Sequence, residues 1–374
     1  MKALPSLSCL ILMLITATGL VSSCDGLKMT KNIFETSERA RYERSFSGAD
    51  SLMVQWKTAF TAAAASRLKI PDGTLLTVAA PGPGEMNAAG YSLELKKGDL
   101  LVIEAVAADP AAKVFVDMTE GDSTTGQPES GMLKNNRFTA FIENSGRHQV
   151  VLQPEIGYRG TLELKIYTQP SLAFPVAGKA NRDVQSFWGA SRDGGGRSHE
   201  GVDIFASRGT PVVAVADGFV ARTGNQGLGG KQVWLRDPAL GNSYYYAHLD
   251  SVMATDGKPV KTGDTLGRVG NTGNAAGGPA HLHFGIYTSG GATDPYPYLR
   301  QRPVPATKNR GKDPSGNFIK SGTTLRTGPG SPYDPVIKTE SKTPVAILAG
   351  TGSWYHVRTP EGTEGFVSAE RVQK

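Results

Sequence analysis

Residues 281–287 read His-Leu-His-Phe-Gly-Ile-Tyr. Strict alternation of this kind predicts a strand, with Leu282, Phe284 and Ile286 turned to a core and His281, His283, Gly285 and Tyr287 on the other face. Two imidazoles side by side on one open face rarely serve packing. A second segment, Tyr244-Tyr245-Tyr246-Ala247-His248-Leu249, has the same period and by it puts Tyr244, Tyr246 and His248 on a shared face. A third, His199-Glu200-Gly201-Val202-Asp203, spaces an imidazole and a carboxylate four residues apart. On an extended or gently bent segment both side chains point the same way. Four of the six histidines of the chain lie in this glycine-rich stretch, residues 176–300.

The residue types suit a metal. A catalytic zinc takes three protein ligands and keeps one position for water. Two neutral imidazoles and one carboxylate leave such a site with residual positive charge, which brings the pKa of bound water to about 7. Nitrogen and oxygen ligands also suit an exported protein, where thiolates oxidise. Further histidines beside the metal can move protons near neutral pH. Glu200 is no general base of an HExxH helix, because residue 203 is aspartate and not histidine.

Around these pieces stand Gly209-Thr210-Pro211-Val212, Ala216-Asp217-Gly218-Phe219-Val220, Val260-Lys261-Thr262-Gly263-Asp264 and Gly270-Asn271-Thr272-Gly273-Asn274. In that order, with the histidine segments, they resemble the M23 metallopeptidases, the lysostaphin-like peptidoglycan endopeptidases. The resemblance implies an antiparallel β-sheet groove with one zinc ion per chain at its floor. It implies His199, Asp203 and His283 as the zinc ligands and His248 and His281 as the catalytic histidines. It further implies peptide crosslinks of the bacterial cell wall as substrate. Which of His248 and His281 shuttles the proton stays open, as does the bond cleaved. Members that have lost the metal and activate other hydrolases lack one or more of these five residues; here all five are present. Arg197, Trp188 and Tyr246 are weaker candidates for lining the groove. The glycine runs 227–230 and 270–278 read as loops that wall it.

The remaining chain is read as mainly β. Residues 1–23 form an export signal: Lys2 is basic, Leu10 to Leu20 is apolar and too short to span a bilayer, and Ser22-Ser23-Cys24 resembles a lipobox. Acylation of Cys24 would tether an envelope lipoprotein, with the outer membrane facing the periplasm favoured. The other cysteine, Cys9, lies within the signal, so the mature chain has no internal disulfide and no cysteine zinc cluster. Residues 24–67 form a helical segment, with Leu52, Trp56, Phe60 and Ala63 on one helix face and Ser51 as its expected cap. Residues 68–170 switch to period two, as in Tyr91-Ser92-Leu93-Glu94-Leu95, and form an accessory β-sandwich. Residues 176–300 are the peptidase domain and 301–319 a linker rich in Pro, Lys, Arg and Gly. Residues 320–374, with Leu325-Arg326-Thr327-Gly328-Pro329-Gly330 and Trp354-Tyr355-His356-Val357-Arg358, resemble a bacterial SH3-like β-barrel. His148 and His356 are strand residues, not ligands.

Charge narrows the partners. Glycine makes up 46 of 374 residues, against an average of about 7%. That favours short strands and tight turns over a coiled coil. Net charge is +6, which suits anionic lipid or an acidic polymer, and is small and without the Lys/Arg cluster of a nucleic-acid binder. Three functions follow as alternatives: a zinc endopeptidase, a non-catalytic wall-binding lipoprotein that activates another hydrolase, and a structural wall tether. Envelope protein partners and oligomeric state stay open.

Overall fold

The computed structural model describes residues 37–82, 84–121, 129–306 and 316–374. The signal segment, Cys24 and residues 307–315 of the linker lie outside the described residues. Among the described residues no helix is long and apolar enough to cross a membrane. The chain is mostly β, built from antiparallel sheets with few helices.

Two helices, Glu38–Ser45 and Asp50–Ala64, open the described chain. Ser37 caps the first, its hydroxyl accepting from Ala40 N at 3.2 Å. The second buries Trp56 and Ala63 against the sandwich, with Leu52 and Phe60 half-buried beside them. Its cap differs from the expectation. Ser51 lies inside the helix, and Ala49 takes the cap position without a side-chain hydrogen bond. The start two residues earlier puts the Asp50 carboxylate in the first turn, where the helix dipole favours an acid.

The sandwich stacks two sheets. One pairs Thr74–Val78, Leu162–Pro170, Asp99–Ala107 and Arg137–Phe141; the other pairs Ala89–Leu95, Gly146–Pro154, Val114–Glu120 and Glu129–Met132. His148 is buried within its strand, Nδ1 facing Gly146 O at 3.0 Å.

The C-terminal domain is not set apart from the sandwich. Its strand Ala346–Thr351 pairs with Thr74–Val78, in the register Thr77↔Gly350 and Val78↔Ala349, so that one nine-stranded sheet runs through both. Pairing there covers what would otherwise be an open sheet edge. The domain's own core is small, with Ile319, Leu325, Tyr355, Val357 and Val367, whereas Phe366 and Ala349 pack into the sandwich core. The Tyr91 hydroxyl lies 3.1 Å from His356 Nδ1, and His356 Nε2 lies 3.1 Å from Glu364 Oε2.

The peptidase domain centres on a second large sheet. Its strand order is Pro259–Val260, Gly218–Gln226, Gly230–Arg236, Ser243–Ala247, His281–Thr288, Val202–Phe205 and Val184–Ser186. One face is dry: Leu282, Phe284, Ile286, Tyr244, Tyr246, Val233 and Leu235 are fully buried. A three-stranded sheet (Pro211–Val213, Thr265–Val269, Leu249–Val252) supplies Val212, Leu266 and Val269 to that core. The helical turn Tyr296–Leu299 joins the domain to the sandwich, where Tyr298 stacks on Phe141 and Arg302 pairs with the buried Asp99 at 2.7 Å.

Candidate metal centre and active site

The site forms where the strands Val202–Phe205 and His281–Thr288 pair, with Asp203 opposite His283. His283 projects from the face opposite Leu282 and Phe284. His199 arrives from just beyond the two-stranded hairpin of Ser191–Arg192 and Arg197–Ser198. Between the two ligand candidates Gly201 is required by space. A Cβ there would stand 2.6 Å from His283 Cε1 and 2.5 Å from Phe284 O. With glycine, the chain bends closely enough for His199 and Asp203 to meet.

They converge on one point. His199 Nε2 lies 3.0 Å from Asp203 Oδ1 and 2.9 Å from His283 Nδ1, and His283 Nδ1 lies 3.0 Å from the same Asp203 oxygen. Among the described residues this is the group of three ligand-type side chains able to hold a metal. The donor chemistry fits a cation. His199 Nδ1 lies 2.9 Å from Phe187 O, to which it donates, so a neutral ring presents a lone pair at Nε2. A lone pair aimed at a carboxylate oxygen and at a second imidazole nitrogen needs positive charge between them. Tetrahedral zinc with bonds of about 2.0–2.2 Å separates its ligand atoms by roughly 3.3–3.6 Å, so an opening of a few tenths of an ångström accommodates it.

Asp203 is held ionised. Burial would raise its carboxyl, but hydrogen bonds and charge from His199 and His283 outweigh it and hold it well below the ordinary carboxylate range. Its second oxygen, Oδ2, accepts from Arg192 Nη2 at 2.7 Å, and the same nitrogen donates to Ser186 Oγ at 2.6 Å. Arg192 was not among the residues singled out by sequence. It sits in a two-residue strand with no periodicity, and only its neighbourhood to His199 hinted at it.

His248 and His281 stand beside this centre, with ring centroids 5.0 Å apart and His248 5.9 Å from His283. The expectation that His248 shares a face with Tyr244 and Tyr246 fails. Those tyrosines are buried in the core, and the Tyr246 hydroxyl accepts from Val215 N at 3.0 Å, a structural role. Continued alternation would have sent His248 into the core with them. Instead the strand ends at Ala247 and His248 adopts φ +62°, a left-handed conformation that turns its ring to the metal side. Two glycine runs hold it there. His248 N donates to Gly229 O at 2.8 Å, and Nδ1 donates to Thr272 O at 2.9 Å. Gly230 and Gly273 lie so close that a Cβ on Gly230 would stand 2.3 Å from Gly273 N. These glycines thus support a side chain as well as edging the groove.

His281 is fixed similarly. Nδ1 donates to Pro279 O at 2.9 Å and the ring stacks on Phe205 at 5.0 Å. In both histidines the backbone carbonyl accepts a hydrogen bond from Nδ1–H and leaves Nε2 as the acceptor. Burial first, then the charges of His281 and His283, push His248 down to about 4, so it is neutral at pH 7. Of the weaker candidates, Arg197 pairs with Asp193 at 3.0 Å; Glu200, set aside as a base, lies against the Tyr287 phenol.

Residues 197–295 match the model of peptidase family M23, and residues 321–373 match that of the bacterial SH3 domain. The chain is 39% identical over 141 residues to the L-Ala–D-Glu endopeptidase of Bacillus subtilis (strain 168), covering 34% of this chain and 43% of that protein. It is 29% identical over 204 residues to the murein hydrolase activator NlpD of Escherichia coli (strain K12), covering 53% of this chain and 48% of that protein. The matches thus span less than half the length of these curated relatives. The solved catalytic domain of lysostaphin from Staphylococcus simulans is 32% identical, with 31% of this chain and 90% of that domain covered and a TM-score of 0.28. The span 197–295 contains all five convergent side chains, and the chain carries a peptidase family M23 domain there and a bacterial SH3 domain at 321–373.

Proposed function

We propose that this chain is a zinc-dependent endopeptidase that hydrolyses peptide crosslinks of bacterial peptidoglycan. The observation that carries the reading is the meeting of His199, Asp203 and His283 within 3.0 Å of one another, with two further histidines, each tautomerically fixed, beside them. Zinc, when held by these three side chains, supplies a Lewis acid that polarises a carbonyl and lowers the pKa of water. The chain's own residues do the rest. Asp203, kept anionic by its neighbours, and the two ligand imidazoles orient the centre, with Arg192 fixing the carboxylate rotamer. His248 Nε2, neutral and buried, accepts a proton from the attacking water and returns it to the leaving amine, or His281 Nε2 does so; the other ring can hydrogen-bond the tetrahedral oxygen only in its protonated form, with Nε2–H as the donor.

The SH3 domain supports binding to the wall, through a surface other than the one docked on the sandwich. Acylation at Cys24 would anchor the protein in the envelope, at the outer membrane facing the periplasm. A second reading, a non-catalytic lipoprotein that activates another wall hydrolase, is favoured by the likeness to the E. coli activator. Against it stands the full set of five residues. Purified mature chain incubated with sacculi, with and without chelator, decides between them. Loss of crosslinked dimers only without chelator, read after the sacculi are digested to muropeptides by a separate muramidase, supports the endopeptidase, and no loss under either condition refutes it.

A further inference from the structure

The sheet face that bears His281 and His283 continues beyond the metal centre. Across it Gly285, Tyr245, Trp234 and Arg222 follow one another on four successive strands. Tyr245 stands edge-on to His283 with centroids 5.9 Å apart, and Trp234 lies 4.4 Å from Tyr245 and 5.1 Å from Tyr287. The Arg222 guanidinium sits over the indole at 5.4 Å. Arg222 is exposed, and among the described residues no carboxylate pairs with it. The indole Nε1 of Trp234 is buried without a hydrogen-bond acceptor, an unmet donor that native structures seldom leave without cause.

We propose that Arg222, held on the Trp234–Tyr245–Tyr287 platform, forms a subsite that binds a carboxylate of the substrate's peptide stem, three to four residues from the cleaved bond. The inference rests on the endopeptidase reading above. Distance sets the spacing. Three strand intervals of about 4.8 Å separate the His283 strand from the Arg222 strand, about 14 Å in all. An extended peptide advances about 3.3–3.6 Å per residue, so roughly four residues cross that face.

Charge selects the ligand. Stacked rings alone would equally suit a sugar. An unpaired guanidinium laid over an indole has already lost much of its rotamer freedom and still presents N–H groups outward, which matches a carboxylate. Glu200, at the Tyr287 side of the platform, disfavours an acid there and leaves the Arg222 side as the anionic end. Pre-ordering of this kind lowers the entropic cost of binding.

The test is binding of stem tetrapeptides, their carboxylates free or amidated, to the zinc-loaded full chain by calorimetry. The free-acid stem should bind about tenfold more tightly than the amidated one. Arg222→Gln should abolish that preference, and Arg222→Lys should restore part of it. Equal preference in wild type and Arg222→Gln would overturn the proposal. So would a loss in Arg222→Gln that appears only when the stem carries its disaccharide, because the platform would then read sugar. Hydrolysis of crosslinked dimers by the same preparation is scored separately. Binding preference without hydrolysis would sink the endopeptidase reading and leave the subsite. Hydrolysis without preference would sink the subsite alone.

Discussion

Arg192 Nη2 donates to Asp203 Oδ2 at 2.7 Å, on the oxygen turned away from His199 and His283. The contact leaves Oδ1 free for the metal and fixes the carboxylate plane. Partners of this kind are typically worth 10–100-fold in metal affinity. Arg192→Met should therefore lower zinc affinity by about that factor with little change in fold, since Arg192 is only part-buried. Zinc titration against a competing chelator reads it. Unchanged affinity would mean that strand pairing and the two ligand histidines orient Asp203 unaided.

Ligand and proton-transfer roles separate by metal content. His283→Ala should lose both zinc and activity. His248→Ala and His281→Ala should retain zinc, because three protein ligands remain, and should lower turnover by about 10²–10⁴-fold. Metal analysis beside crosslink hydrolysis of each purified variant tests this. Zinc loss in either of the last two would redraw the coordination sphere.

At His248 the backbone itself is strained. A side chain at φ +62° costs of order 1–2 kcal/mol relative to glycine. His248→Gly should thus be more stable than His248→Ala by about 1 kcal/mol, with turnover lowered equally in both. Denaturant unfolding of the pair measures the difference. Equal stability would show that the surrounding glycine loops, not local conformation, set the backbone there.

These residues also mark what could be read without coordinates. The core and site faces of His281–Tyr287 were legible because alternation alone assigns them, and the His199–Asp203 spacing pointed to a shared side. The turn at His248 was not, since a left-handed residue interrupts a pattern that otherwise continues through Tyr246. Arg192 carries no periodic signal. Docking of the SH3 domain was equally silent: Thr77 and Val78 meet Gly350 and Ala349 through backbone bonds that almost any sequence can make. Nothing local in the sequence says that Phe366 belongs to the core of another domain.

Anchoring through Cys24 lies outside the described residues and is tested in cells. If the thiol is acylated, Cys24→Ser should move the protein from the detergent-extracted membrane fraction to the soluble fraction. Unchanged partitioning would refute the lipobox reading.

The joint between sandwich and SH3 domain should respond to acid. Burial would raise the Glu364 carboxyl, but hydrogen bonds and charges from His356 and Arg358 outweigh it and pull it from 4.5 to about 2. A carboxyl depressed in the folded state contributes stability that is fully present above its unfolded value. That contribution fades as pH falls from about 4.5 toward 2, because protons then bind the unfolded chain in preference. Glu364 also orients His356, whose Nδ1 meets the Tyr91 hydroxyl across the joint, so the loss falls on docking as well as on the SH3 domain. Glu364→Gln should be less stable than wild type at pH 7, and the gap should close as pH approaches about 2. Thermal unfolding of both proteins across that range, with near-ultraviolet circular dichroism following the buried Tyr91, reads the effect. A gap independent of pH would mean that Glu364 acts through packing and not through its charge.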